Sequence, residues 1–110
     1  MVKVLIKRVV PKNKASKMIS LFKQMHILAV NQEGYVSAET FNNLNDPDEF
    51  LVISTWQSVD DWKAWEASKD RIEIQEQIDR LLGEKTACSV YYYPHKSGAR
   101  LSGFKGWEGG

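Results

Sequence analysis

One stretch constrains the fold of this chain more than any other: Val52-Ile53-Ser54-Thr55-Trp56-Gln57-Ser58-Val59-Asp60-Asp61-Trp62-Lys63-Ala64-Trp65. Alternation puts Val52, Ser54 and Trp56 on one face of a strand, with Ile53 and Thr55 on the other. Ser58 has the chemistry of a helix N-cap, and Asp61 stands where the acid of a capping box belongs. Asp60 and Asp61 also suit the positive end of a helix dipole. In the helix that follows, Trp62 and Trp65 are three apart and share a surface. A corner that carries three bulky aromatics needs a core or a ligand pocket to receive them. The rest of the chain must supply its walls.

Val2 to Val10 reads as a strand with Val2, Val4 and Ile6 on one face and lysines entering the other. Pro11 ends it, because proline cannot donate to a sheet ladder. Asn13 to about Asn31 is a helix whose apolar stripe runs through Ala15, Met18, Ile19, Phe22, Met25 or His26, and Ala29. Gly34 marks its exit, and Tyr35 to Asn42 is a second strand. Asn42-Asn43-Leu44-Asn45-Asp46-Pro47-Asp48 is a strong turn signal, and Phe50 to Gln57 is the third strand. Strands two and three therefore form a hairpin. Ser58 opens a second helical region that bends near Ser68 to Asp70 and runs to Leu82 on Ile74, Ile78 and Leu81. Gly83 stops it. Thr86 to Tyr93 is the fourth strand, ended by Pro94. The expected organisation is one domain over residues 1–93 and a tail rich in Gly, Ser and Lys over 94–110. Phe104 and Trp107 are the adhesive residues of that tail, which is expected to be disordered.

The order β-α-β-β-α-β is that of a ferredoxin-like α+β domain, with an antiparallel four-stranded sheet and both helices on one face. Several strands are apolar or aromatic on both faces, as in Val52 and Ile53 or Val90 to Tyr93. A sheet with one face in water alternates more cleanly. A second copy of the chain is the simplest cover, so a homodimer is expected.

Composition excludes several classes. The formal net charge of +1 gives no electrostatic case for nucleic acid. Lys7, Arg8, Lys12, Lys14 and Lys17 read as a solvated helix face. The single cysteine, Cys88, rules out an internal disulfide and a cysteine-rich zinc site, and reads as a buried structural thiol. No signal peptide is visible and no apolar run approaches the ~20 residues of a membrane span, so a cytoplasmic protein is expected. There is no glycine-rich phosphate loop and no histidine pair at helical spacing. Asp70, Glu73 and Glu76 read as the solvent face of the second helical region.

What remains is an aromatic and amide-rich set: Trp56, Trp62, Trp65, Phe22, Tyr35, Asn42 and the tyrosines of strand four. A pocket lined this way suits a flat aromatic molecule held by stacking and a few hydrogen bonds. Asn, Trp N–H and Tyr O–H donors can stabilise a developing oxyanion there. The plainer alternative is that these rings fill the core of a small domain.

On Ser54-Thr55-Trp56-Gln57-Ser58, then Asp61-Trp62-Lys63-Ala64-Trp65 and Ser68, the chain resembles the antibiotic biosynthesis monooxygenase superfamily of dimeric α+β barrels. The resemblance covers about residues 1 to 93. It implies oxidation of aromatic polyketides or quinols with molecular oxygen, often without metal or flavin; other members degrade haem. Trp65 stands where many quinol-oxidising members carry histidine and haem-degrading members carry tryptophan. The haem-degrading pattern also has a first-strand asparagine, which corresponds here to Lys7, and a haem-ligating histidine, which corresponds to Gln75. Glutamine is not a normal axial iron ligand.

The resemblance thus implies a cofactor-independent monooxygenase acting on a small aromatic or quinol-like substrate. Trp65, His26 and Asn42 are its candidate catalytic residues, and Phe22, Tyr35, Trp56 and Gln75 its substrate-binding ones. Haem binding or degradation, through His26 or His95, is one alternative, and a non-enzymatic small-molecule-binding dimer another. Without such a role His26 reads as a partly buried, hydrogen-bonded structural histidine, and His95 as a solvated loop residue.

Overall fold

A computed structural model describes residues 1–94. The expected tail from residue 95 on, with His95, Phe104 and Trp107, lies outside the described residues. Strand β1 is Val2–Val9, and a single 3-10 turn at Lys12–Lys14 leads into helix α1, Ala15–Ala29. Strands β2, Tyr35–Asn43, and β3, Asp46–Trp56, follow as a hairpin. Helices α2, Val59–Glu66, and α3, Lys69–Leu82, precede strand β4, Cys88–Tyr92. The four strands form one antiparallel sheet in the order β2-β3-β1-β4, which is the expected α+β, ferredoxin-like arrangement.

Local chemistry accounts for the corners. Ser58 caps α2: its hydroxyl accepts from the Asp61 N–H at 3.1 Å and donates to the Asp61 carboxylate at 2.9 Å. Ser68 repeats the device for α3, accepting from the Arg71 N–H, so the expected bend is a full break between two helices. Gly83, at φ +74°, ends α3 in the left-handed conformation that glycine adopts freely.

The hairpin, the stripe of α1 and the start of β4, at Cys88 rather than Thr86, differ from expectation. Strand β3 begins at Asp46 rather than Phe50, and only Leu44 and Asn45 separate it from β2. The Asn-rich segment does not form a long turn because its side chains hold the hairpin closed. Asn43 donates to Glu49 at 3.0 Å and its amide oxygen accepts from the Asn45 N–H at 2.8 Å. Pro47 is tolerated since β1 pairing begins only at Glu49, and β2 pairing steps from Asn42–Phe50 to Asn43–Asp46, which leaves Pro47 in an irregularity. On α1 the buried stripe is Met18, Leu21 and Ala29, whereas the expected Ile19 is 49% exposed.

The core lies between the helices and the inner sheet face and has two parts. Val2, Val4, Ile6, Ala29, Trp56, Trp62 and Trp65 form one. Val10, Met18, Leu21, Ile74 and Ile78 form the other, and Met25 and Leu28 pack against both. The outer sheet face carries Leu5, Phe41, Leu51, Ile53 and Tyr91 at successive register positions, with Phe41 46% and Tyr91 56% exposed.

Candidate functional site

A cavity of about 120 Å³ opens between the inner sheet face and the helices, where the two parts of the core meet. Strands β1, β2 and β3 supply its floor, including Ile6, Arg8, Tyr35, Thr40 and Ser54. The helices supply Phe22, Met25, His26, Trp62, Trp65, Arg71 and Gln75.

One end is aromatic. Trp56 is 1% exposed, stacks on Trp65 at 6.4 Å between ring centroids, and meets Trp62 and Tyr35 edge-on at 5.8 and 5.5 Å. Such contacts follow from the ring quadrupole, which favours offset and edge-to-face geometry. The Trp56 indole N–H donates to the Ser54 hydroxyl at 3.1 Å and is therefore committed within its own strand. The indole N–H groups of Trp62 and Trp65 make no hydrogen bond to the described residues, yet no enclosed side-chain nitrogen among these residues lacks a partner. Both donors are accordingly open to water or a ligand. Burial raises the Tyr35 phenol above its ordinary value and keeps it protonated near neutrality.

The other end is polar. Arg8 and Arg71 are 7% and 6% exposed, and each donates through Nη2 to Oε1 of Gln75 at 3.3 Å. Gln75 Nε2 donates to Asp79 Oδ1 at 2.9 Å and to the Thr86 hydroxyl, which in turn donates to Asp79. Arg8 lies over the Phe22 ring at 5.4 Å and Arg71 over Trp62 at 5.2 Å, so aromatic faces help hold both cations. Burial pulls the Arg8 guanidinium down to about 10, with Cys88 and Asp79 opposing and the charge on Arg71 acting in the same direction. Beside this network, burial pushes the Cys88 thiol up, with Arg71 opposing, which fits an unreactive structural thiol.

Most of the expected site residues thus meet: Trp65, Trp56, Tyr35, Phe22, His26 and Gln75 all line the cavity. Asn42 does not. It is exposed at the hairpin end, where its amide donates to the Pro47 carbonyl at 3.0 Å. His26 differs from the expected hydrogen-bonded, partly buried residue: it is exposed, at the cavity's rim, and touches Tyr35 edge-on at 6.4 Å. Lys7 is also exposed and points to the outer face opposite Leu51, so Ile6 and Arg8 are the residues β1 presents to the cavity.

Sequence reasoning misses Arg8 and Arg71. Arg8 falls in a run of solvated lysines, although it has the parity of Val2, Val4 and Ile6. Arg71 stands three and seven positions before Ile74 and Ile78 and so shares their buried stripe.

Haem has no fit here. Gln75 brings no iron-binding nitrogen and all its hydrogen-bonding capacity is directed to Arg8, Arg71, Asp79 and Thr86. A cavity of about 120 Å³ is far too small for a porphyrin. Among the described residues no three of His, Cys, Asp and Glu gather to hold a metal, and no helix is long and apolar enough to cross a membrane.

The sequence profile of the antibiotic biosynthesis monooxygenase family matches residues 1–77. No curated protein matches the chain. Among solved structures, a conserved protein from Methanosarcina mazei Go1 superposes with a TM-score of 0.74 at 19% identity, over 82% of this chain and 89% of that one. A candidate antibiotic biosynthesis monooxygenase from Nitrosomonas europaea gives 0.73 at 13% identity, over 86% and 99%. A mutant of SnoaB, a cofactor-independent oxygenase from Streptomyces nogalater, gives 0.72 at 15% identity, over 84% and 92%. At these identities the likeness is one of fold.

Proposed function

The chain belongs to the antibiotic biosynthesis monooxygenase family, and from that premise we propose that it oxidises a small aromatic or quinol-like molecule with molecular oxygen and no bound cofactor. The observation that carries this reading is the cavity itself, lined by aromatic rings that include two tryptophans with uncommitted indole N–H groups. The cofactor-independent activity of SnoaB, a neighbour in fold, supports it. In this reaction one oxygen atom enters a ring or benzylic carbon and the other leaves as water. The electrons come from the substrate's own C–H and O–H bonds, so no external reductant is required.

The protein's task is to hold the electron-rich anion and keep water away from it. The Trp65 N–H stabilises the developing oxyanion, Trp56 and Tyr35 shape the ring site, and His26 at the rim receives the phenolic proton. Asn42 has no part in this scheme. An oxygen electrode with a panel of quinols, anthrones and aromatic hydroxy acids tests it. Substrate-dependent uptake without added metal or flavin is expected, and Trp65→Phe, which keeps an aromatic ring but deletes the N–H donor, should lower kcat by about 10²-fold. No uptake across the panel sinks the reading.

We further infer that a second copy covers the outer sheet face, where Leu5, Leu51 and Ile53 are half-buried and Phe41 and Tyr91 exposed. Sedimentation equilibrium should give twice the 12.6 kDa chain mass, and Ile53→Lys should return the monomer. A monomeric wild type at micromolar concentration overturns this inference.

A further inference from the structure

The polar end of the cavity holds two buried cations whose shared partner is neutral. Arg8 and Arg71 converge on one amide oxygen, Gln75 Oε1, and neither has an ion pair among the described residues. Asp79, the acid of the network, spends Oδ1 on the Gln75 amide and on the Thr86 N–H and hydroxyl, and stands one partner removed from both guanidiniums. Each arginine has five N–H donors. Arg8 makes no bond through Nη1 and Arg71 none through Nε, and since no enclosed nitrogen lacks a partner, both atoms are accessible. A desolvated charge normally carries a counter-charge, and two like charges on one amide oxygen require it more.

We propose that Arg8 and Arg71 anchor a carboxylate on the aromatic ligand, so that the substrates are aromatic hydroxy acids rather than neutral quinols. The guanidinium fork matches a planar carboxylate through paired N–H donors, which a lysine would not do. A planar group also adds less volume than a tetrahedral phosphate to a cavity of about 120 Å³. The ring then lies toward the tryptophans and the charged substituent toward β1 and α3. This deepens the monooxygenase reading and rests on it for the reaction, though the binding stands on the arginines alone.

Titration calorimetry on the full chain at neutral pH, with salicylate against salicylamide, tests the anchor. The acid should bind about tenfold tighter or more, as expected for charge-assisted hydrogen bonds. Arg8→Met should reduce that preference to within about threefold, with Arg8→Lys intermediate. Should either variant fail to fold, the acid-to-amide ratio of the wild type decides alone. Equal affinities overturn the proposal, as do no heat from either compound and tighter binding of phenyl phosphate than of benzoate. Oxygen uptake on the same compounds separates the two claims. Acid preference without uptake on any hydroxy acid leaves the anchor and removes the monooxygenase, whereas uptake on neutral quinols without acid preference does the reverse.

Discussion

At the aromatic end of the cavity, Trp56, Trp62 and Trp65 come from ten consecutive residues; at the polar end, Arg8 and Thr86 stand 78 positions apart and meet only because β1 and β4 pair. The first end is packed by its own contents, since its rings partner one another and the Trp56 N–H reaches a serine two residues away, and only the Trp62 and Trp65 N–H groups stay open. The second is satisfied only by sharing one neutral amide between two cations. An assembly of the first kind holds the fold together. One of the second kind costs stability while empty and recovers it when an anion arrives, which is how a binding site differs from a core.

The largest effect should come from the aromatic end. Trp56→Ala removes the most enclosed ring among the described residues and should cost about 3–5 kcal/mol in chemical denaturation. A loss below about 1 kcal/mol would mean that the tryptophans line an open site and contribute little to the core, and the contrast between the ends would collapse.

Arg8→Met should act with the opposite sign. It leaves no acceptor orphaned: Gln75 Oε1 keeps Arg71, and Thr86 keeps Asp79 and Gln75. The folded pKa of Arg8 is depressed to about 10, so above that pH the unfolded chain holds a proton that the folded chain has lost. The penalty is therefore fully present below pH 10 and is relieved as pH rises above it. A depression of that size corresponds to roughly 3 kcal/mol at most. We expect a gain of about 1–2 kcal/mol at pH 7 that shrinks above pH 10, read from denaturant midpoints. A loss of similar size would make Arg8 a structural strut.

The fold was legible because its signals are local. The Ser58 cap, the Gly83 stop and the alternation of β1 each depend on a few neighbouring residues, and all stand as the sequence implies. The aromatic end was legible for the same reason. The polar end was not, because burial of a charge contradicts its usual preference and its partners are remote in sequence. Parity alone places Arg8 beside Ile6, but composition argued for solvent, and composition was the weaker guide. Asn42 misled in the other direction: its short side chain found a local acceptor in Pro47 before it could reach the cavity.

Two single-hydroxyl deletions give the smallest and sharpest comparison. Ser58→Ala removes the α2 cap and should cost about 1 kcal/mol, since only the Asp61 N–H and carboxylate lose a partner. Thr86→Val keeps the shape of its side chain and should cost about as much, because it bonds Asp79, Gln75 and Arg8. Stability does not distinguish them; affinity does. The cap lies outside the ligand's reach, so Ser58→Ala should leave the dissociation constant for salicylate unchanged. Thr86 orients the Arg8 Nε and the amide that both arginines share, so Thr86→Val should weaken salicylate by about three- to tenfold while salicylamide is unaffected. Calorimetry on both variants resolves this. Equal affinities would mean that the guanidiniums are held by the sheet and helix alone, and the polar network would then be a fold element like the aromatic one.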